Sequence, residues 1–293
     1  TTEIYTLSLH DALPIFWQEN LILKVLAGSQ AYGLATEHSD TDSRGVCIAP
    51  KEVLLGLQTF DQVQDDKGDH VIFSLQKFVR LALEGNPNLI ETLFTEDILF
   101  VHPLGERLLE QRRIFLSRKV AERFGHYGFQ QLKRLENHHR WWDNPPKEPG
   151  LSDFGATLTA RGSASFPSAQ AKRAYEQAHK NWTNYQRWKR ERNPARAQLE
   201  ERYGYDTKHA MHLCRLLKMG QEILATGEVL VKRPDAAWLR QVRQGSLAYE
   251  ELLEWARNQE SELQQLRDTS PLPEEPDSAV AETLLMGIIE DFH

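Results

Sequence analysis

The spacing of apolar residues changes about a quarter of the way along the chain, and this change limits the possible folds. Residues 44–49 and 69–73 are short β-branched runs that are typical of strands. The apolar run 20–27 fits either a strand or a helix that leads into a turn at Gly28. From Leu75 onward the apolar residues recur at helical spacing. The sequence therefore predicts an α+β fold, with a small mixed-sheet head followed by a mainly helical body.

The helical pattern is divided by residues that end helices. Gly85-Asn86-Pro87 ends the first helix, and Gly227 is placed to cap the helix before it. The predicted helices are 75–84, 89–94, 106–135, 169–192, 206–226 and 246–267.

Breaks in the pattern predict the domain boundaries. The segment 1–15 lacks the basic start of a signal peptide and resembles a translated sequencing adapter, so we expect it to be non-native. A proline-rich break at 141–150 opens a long insertion in the body. The predicted units are the head at 16–105, the helical body at 106–270 with its insertion at 141–196, and an acidic tail at 271–293.

The charge of the chain is unevenly distributed. The 293 residues carry a formal charge of −7, which by itself argues against nucleic acid as a partner. However, residues 107–140 hold nine Lys and Arg against three acidic residues, and residues 161–218 hold thirteen against five. The second stretch interleaves aromatic with basic side chains. It fits either a solvated helix face with aromatic rings packed beneath it or a surface for phosphates and stacked bases.

Two classes of protein are disfavoured by composition. The chain has two cysteines, Cys47 and Cys214, which is typical of a protein in a reducing cytosol and excludes a disulfide scaffold. No apolar run approaches the length that crosses a membrane. We therefore expect a cytoplasmic protein without a membrane partner.

The residues with the clearest chemistry are a Gly-Ser pair and an Asp-x-Asp pair about ten positions later. Gly28 and Ser29 allow backbone N–H groups to approach a phosphate closely, and the hydroxyl can donate a further hydrogen bond. Asp40 and Asp42 point to the same face of an extended chain. Paired carboxylates suit Mg²⁺, which binds carboxylates together with substrate phosphates. Together the two pairs predict a metal-dependent phosphoryl or nucleotidyl transfer site.

A third carboxylate on a neighbouring strand would complete such a site. The candidates are Asp61, Asp65, Asp66 and Asp69. Asp65 and Asp66 flank Lys67-Gly68 and fit the tip of a hairpin. Asp69 begins the second predicted strand and would lie beside the first if the two strands pair, so we favour Asp69.

These motifs resemble the DNA polymerase beta-type nucleotidyltransferase superfamily, whose signature is Gly-Ser followed by Asp-x-Asp. Within it, the chain resembles the RNA-repair-pathway DNA polymerase beta family. The residues that carry this resemblance are GSQAYGLATEHSDTDSRGV at 28–46, FSLQKFVRLALEGNPNLIETLF at 73–94, YGYDTKHAMHLCRLLKMGQEIL at 203–224, and the segments 231–235 and 247–255. The resemblance covers roughly residues 20–260, apart from the insertion.

The resemblance implies transfer of a nucleoside monophosphate from a nucleoside triphosphate with the help of Mg²⁺ or Mn²⁺. Asp40, Asp42 and Asp69 would be the catalytic metal ligands, and Gly28 and Ser29 would bind the triphosphate. An RNA end in repair or processing is the expected acceptor. A protein hydroxyl, as in AMPylation, and a non-catalytic RNA-binding module that retains the fold are the alternatives.

Four cationic residues are further candidates for binding the nucleotide. Arg44 follows the aspartates and either pairs with Asp42 or steers the triphosphate. Lys77 lies on the helix after the second strand, where it either neutralises a phosphate or sits on an exposed face. Lys208 and Arg215 belong to the 203–224 segment, and the resemblance favours a contact with the triphosphate or the base.

Overall fold

The computed structural model describes residues 16–37, 39–159, 163–192 and 194–293. The segment 1–15, expected to be non-native, lies outside the described residues. The strands within the described part of the chain are β1 (Leu21–Ala27), β2 (Asp42–Cys47), β3 (Gln62–Gln64), β4 (His70–Ser74), β5 (Ile98–Val101), β6 (Thr157–Leu158) and β7 (Ala164–Ser165).

The helices alternate with short strands in the head and then dominate. Those in the described residues are α1 (Phe16–Glu19), α2 (Gly28–Ala31), α3 (Lys51–Leu55), α4 (Leu75–Leu83), α5 (Pro87–Phe94), α6 (Pro103–Glu110), α7 (Arg118–Asp143), α8 (Ala169–Glu191), α9 (Pro194–Tyr203), α10 (Thr207–Thr226), α11 (Ala236–Arg243), α12 (Tyr249–Thr269) and α13 (Ser278–Phe292). Single 3-10 turns occupy Arg112–Phe115 and Leu151–Phe154.

The head is built on one mixed sheet with the strand order β3-β4-β2-β1-β5. The run at 20–27, for which the sequence left strand and helix open, forms the strand β1. β1 pairs antiparallel with β2 and β5, whereas β2 and β4 are parallel. A parallel pair needs a connection that crosses over the sheet, and the chain between β2 and β4 supplies α3 and the antiparallel strand β3. The predicted α+β fold, with a mixed-sheet head and a helical body, is confirmed.

The predicted helix at 106–135 is wrong in its bounds. α6 ends at Glu110, a 3-10 turn follows, and α7 begins at Arg118. The break has a local cause, because the Ser117 side chain accepts a hydrogen bond from the Val120 N–H and caps the first turn of α7. α7 then continues to Asp143, past the start of the predicted break at 141.

The head and the body share one hydrophobic core. β-strand residues such as Ile22 and Val46 belong to the same buried cluster as Phe124 of α7 and Ile223 of α10. α7, α11 and α12 surround α10, which is the most buried helix of the body. This arrangement fixes the N-terminal end of α10 against the sheet edge that carries the aspartates.

The segment predicted as an acidic tail forms the helix α13 and packs on the head. Ala281, Leu284 and Ile288 of α13 are buried in the core shared by head and body. The acidic residues lie on the outer face, where Asp291 pairs with Arg107 of α6. In the described part of the chain, no helix is both long enough and apolar enough to cross a membrane.

Candidate active site

The predicted carboxylates meet at one edge of the sheet because of the strand register. In the parallel pair, Ser43 of β2 lies opposite His70 of β4. The residues just before them, Asp42 and Asp69, are therefore neighbours, and the Ser43 N–H donates to the Asp69 carbonyl at 2.9 Å. Asp40 lies two residues before Asp42 along the same chain. All three aspartates line one cleft of about 480 Å³.

The Gly-Ser turn brings the backbone directly beneath Asp42. The last residue of β1, Ala27, lies opposite Asp42, and Gly28 follows with φ of +60°. A Cβ at position 28 would overlap the Asp42 carboxylate. Glycine is required here for two reasons, because the backbone is left-handed and because the carboxylate occupies the space of a side chain. Gly28 and Ser29 both line the cleft.

The carboxylates repel one another. Partial burial raises the pKa of Asp42 above its usual value, Arg44 opposes this increase, and the negative charges of Asp69 and Asp40 add to it. The negative charges of Asp69 and Asp40, which contribute to this increase, also favour the approach of a cation. Asp, unlike Cys or His, offers only the hard oxygen ligands that suit Mg²⁺ or Mn²⁺.

The opposite wall of the cleft is cationic. Arg134 of α7, Arg196 of α9, Lys208 of α10 and Arg243 of α11 line the same cleft as the aspartates. We call these four residues the cationic wall. Desolvation, followed by the charges of Arg196 and Arg243, lowers the pKa of Lys208, whereas Asp206 and Asp40 act in the opposite direction. A polyanion that enters the cleft would relieve this repulsion.

Lys208 owes its position to the cap of α10. The Asp206 side chain accepts hydrogen bonds from the N–H groups of Lys208 and His209, at 2.9 and 3.1 Å. This cap holds the first turn of α10 at the cleft. The structure thus places Lys208 in the same cleft as the aspartates, and its contact with a triphosphate or base stays a prediction.

Arg215 lies deeper than a flexible phosphate ligand would. Its side chain is 1% exposed and pairs with Glu91 of α5, while its guanidinium carbon lies 3.7 Å from the centre of the Tyr32 ring. The Tyr32 hydroxyl donates to the same Glu91 carboxylate at 2.6 Å. Arg215 touches the cleft, but its charge is matched by Glu91. Through Glu91 and Tyr32, Arg215 links α10 to the head.

Arg44 and Lys77 lie outside the cleft. The Arg44 guanidinium donates to the carbonyls of Ser43 and Asp69, at 2.8 and 2.9 Å, and faces a smaller cavity beside Asp42. The Lys77 ammonium pairs with Asp61 at 3.3 Å. β4 separates Lys77 from Asp69, and five strand residues span about 16 Å. Among the described residues that line the cleft, neither cation is present.

Several residues of the cleft were not predicted. Arg134 and Arg196 fall in the two basic stretches of the sequence, but their charge alone did not distinguish them from their basic neighbours. Arg243 carries no local signal, because only the packing of distant helices brings it to the cleft. Tyr32 lies within the segment 28–46 that carries the Gly-Ser motif, and its position there could have indicated that it lies at the cleft.

Two histidines of α10 lie in the wall of the cleft. Burial lowers the pKa of His209 to about 4 and holds the pKa of His212 well below its usual value. The Arg196 guanidinium and the His209 Nε2 lie 2.6 Å apart, an arrangement in which a neutral imidazole accepts the hydrogen bond. Within the residues that the structure describes, no group of three or more His, Cys, Asp and Glu side chains is arranged to hold a metal ion.

The lowered histidine pKa values predict a loss of stability in mild acid. The unfolded chain binds protons at its histidines near pH 6.5, whereas folded His209 binds one only near pH 4. The free energy of unfolding should therefore fall as the pH drops from 6.5 towards 4, by about 1 kcal/mol or more from His209. Urea unfolding at pH 7 and pH 5 measures this difference. It should shrink in His209→Asn and persist in His126→Asn, which changes an exposed residue of α7; an equal difference in both variants would contradict the assignment.

Comparison with known proteins supports the sequence-based resemblance over part of the chain. Residues 10–149 match the family described as the RNA repair pathway DNA polymerase beta family. This range contains the Gly-Ser turn and the three aspartates, whereas the 203–224 segment and its Lys208 and Arg215 lie beyond it. No curated protein and no solved structure matched the chain.

Proposed function

We propose, from the match of residues 10–149 to the RNA repair pathway DNA polymerase beta family, that the protein is a nucleotidyltransferase that acts on RNA ends. The observation that carries the proposal is the cleft itself. Asp40, Asp42 and Asp69 face the cationic wall across about 480 Å³. That volume lies in the range of small-molecule sites, and the opposed charges suit a metal on one side and a triphosphate on the other.

The aspartates would hold Mg²⁺ or Mn²⁺ only in part. Mg²⁺ is usually bound through one or two carboxylates and completes its coordination with water and substrate phosphates. A protein cage of three or more ligands is therefore not needed here. When bound, the metal neutralises charge on the phosphate oxygens and makes the phosphorus more electrophilic.

The cationic wall would hold the triphosphate. Arg134, Arg196, Lys208 and Arg243 come from four different helices, so the packing of the body, and not a single helix face, brings them to the cleft. Guanidinium groups bind phosphate oxygens through paired hydrogen bonds, whereas the ammonium of Lys208 acts as a point charge. The Gly-Ser turn would bring backbone N–H groups to the same phosphates.

The transfer step replaces a phosphoanhydride bond of the triphosphate with a phosphate ester bond to the acceptor. The acceptor hydroxyl oxygen forms a bond to the α-phosphorus of the nucleoside triphosphate. The bond from that phosphorus to the oxygen that bridges the α- and β-phosphates breaks, and pyrophosphate leaves. The hydroxyl proton passes to a carboxylate of the cleft.

The test is a transfer assay with labelled nucleoside triphosphates, RNAs with defined ends, and Mg²⁺ or Mn²⁺. The expected result is label covalently joined to RNA and release of one pyrophosphate for each nucleotide added. Label on the protein itself, found by mass spectrometry, would indicate a protein hydroxyl as the acceptor. RNA binding without transfer of any nucleotide would indicate a non-catalytic RNA-binding module.

The Gly28 turn provides a sharper test of the geometry. Gly28→Ala places a methyl group on the Asp42 carboxylate and should reduce transfer by about a hundredfold or more. Gly68→Ala is a matched control, because Gly68 also has a left-handed backbone, with φ of +74°, but no atom within 4 Å of the added carbon. Both variants bear the backbone strain of about 1 kcal/mol, so equal losses of transfer would show that strain, not crowding of Asp42, is responsible.

A further inference from the structure

A second cavity adjoins the cleft on the side of the insertion. Its volume is about 350 Å³, and its lining includes His138, Trp188 and Arg192. It shares Arg196 and His209 with the cleft, and these two side chains are hydrogen-bonded to each other. A molecule in this cavity would therefore contact the same pair of side chains that borders the cleft.

Aromatic rings are concentrated around the second cavity. Trp188 lines the cavity, the Trp141 ring stacks at 5.6 Å on the ring of the lining residue His138, and Trp142 lies beside the lining residue Arg192. The His138 and Trp188 rings lie 5.4 Å apart, and both line the cavity. The Arg192 guanidinium lies 4.8 Å from the centre of the Trp188 ring and 5.1 Å from that of Trp142. Aromatic rings and guanidinium planes are the surfaces on which unpaired bases stack.

The helix that forms one side of this cavity is basic and lies at the surface. α8 carries six Lys and Arg against two acidic residues, and none of its residues, all of which are described, is buried. The cavity lining itself holds three acidic residues, Glu191, Glu200 and Asp206, against Arg192 and Arg196. Each acid pairs with an arginine: Glu191 with Arg190, Glu200 with Arg192, and Asp206 with Arg196. The excess of positive charge therefore lies on the exposed residues of α8 beside the cavity.

We propose that the second cavity binds the unpaired nucleotides of an RNA strand whose end lies in the cleft. Bases stack on the Trp188 and His138 rings, and the phosphates follow the exposed basic residues of α8. A cavity of about 350 Å³ has the volume of a small-molecule site, and unpaired bases, unlike those of a duplex, can splay out to enter it. That the strand is the acceptor rests on the proposed function, whereas the binding site itself rests on the cavity, the rings and the charge.

The first test reverses charge on α8. Arg187 and Lys189 are exposed, and R187E/K189E should weaken the binding of an unstructured RNA of about ten nucleotides by about tenfold or more. The slope of log affinity against log salt should fall by about two, one for each lost phosphate contact. K51E/R257E is the matched control, because it makes the same charge change at exposed positions of α3 and α12 and should bind RNA within about twofold of wild type. Equal weakening in the two double variants would overturn the proposal.

The second test addresses stacking. Trp188→Ala should weaken binding of the same RNA by at least about fivefold, and Trp188→Phe should restore most of the affinity. A blunt RNA duplex should bind more weakly than the unpaired strand. If Trp188→Ala unfolds locally, Trp188→Phe and R187E/K189E still test the proposal. Unchanged RNA affinity in R187E/K189E would contradict RNA binding at this cavity.

These binding measurements use neither nucleotide nor divalent metal. RNA binding at the second cavity can therefore be disproved even if transfer to RNA is observed. It can also be confirmed even if no transfer occurs. The two proposals are thus tested separately.

Discussion

Asp40→Asn and Asp42→Asn are each expected to reduce nucleotide transfer by about a thousandfold or more without loss of the fold. Asparagine keeps the shape of the side chain but removes the charge that attracts a divalent cation. Electrostatic stabilisation by a bound metal is worth several kcal/mol, and each 1.4 kcal/mol is a factor of ten in rate.

The stability of these variants should not fall with the activity. The pKa of Asp42 is raised by burial and by its neighbouring carboxylates, so the charged form is disfavoured in the folded protein. Neutralising Asp42 relieves this repulsion, and the temperature of unfolding should stay the same or rise. Asp66→Asn, which makes the same change at the exposed hairpin tip, should leave both activity and stability unchanged. Transfer above about one tenth of wild type in Asp42→Asn would remove Asp42 from the site.

The second large effect concerns stability. Glu91→Ala should lower the free energy of unfolding by about 3–5 kcal/mol, because it leaves the Arg215 guanidinium buried without its partner. The same change removes the acceptor of the Tyr32 hydroxyl. Urea unfolding followed by circular dichroism measures the difference.

An exposed ion pair supplies the control. Arg113 and Glu228 pair at the surface, with side chains that are 67% and 51% exposed, and Glu228→Ala should cost no more than about 1 kcal/mol. The double variant E91L/R215M replaces both buried partners. It should recover much of the lost free energy of unfolding, since no unpaired charge remains. A double variant that is as unstable as Glu91→Ala would show that the loss of stability comes from packing and not from the unpaired charge of Arg215.

The sequence predicts the aspartate edge of the site well, because the information there is local. Gly28 and Ser29, followed by Asp40 and Asp42, depend on a turn and on the alternation of one strand. Asp69 required one further assumption, that two short strands pair, and the parallel register of β2 and β4 brings it beside Asp42. These placements agree with the predicted roles, which only an assay of transfer can test.

The cationic side of the site is harder to predict because it is assembled from distant segments. Arg134, Arg196 and Arg243 meet only after α7, α9 and α11 have packed around α10. In a chain with thirty-five Lys and Arg, charge alone does not select them. Lys77 was predicted at the site because it is close to Asp69 in sequence. A strand lies between the two residues, so they are far apart in the structure.

The segment 271–293, predicted as an acidic tail, contains a helix that packs on the head. Residues 271–293 hold six acidic and no basic residues, which suggested a tail. The spacing of Ala281, Leu284 and Ile288 is that of one apolar helix face, and this face is buried in the core. The periodicity of the apolar residues, rather than the net charge, carried the structural information.

The packing of α13 on the head affects the order in which the protein can be made. The chain emerges from the ribosome with the sheet strands first, yet the core beneath the sheet includes Ala281, Leu284 and Ile288, which emerge some two hundred residues later. The His293 ring also lies 3.1 Å from the Ala49 carbonyl beside the sheet. The apolar surface of the head that α13 covers therefore stays exposed until α13 has been synthesised and has docked, and exposed apolar surface of this kind promotes aggregation.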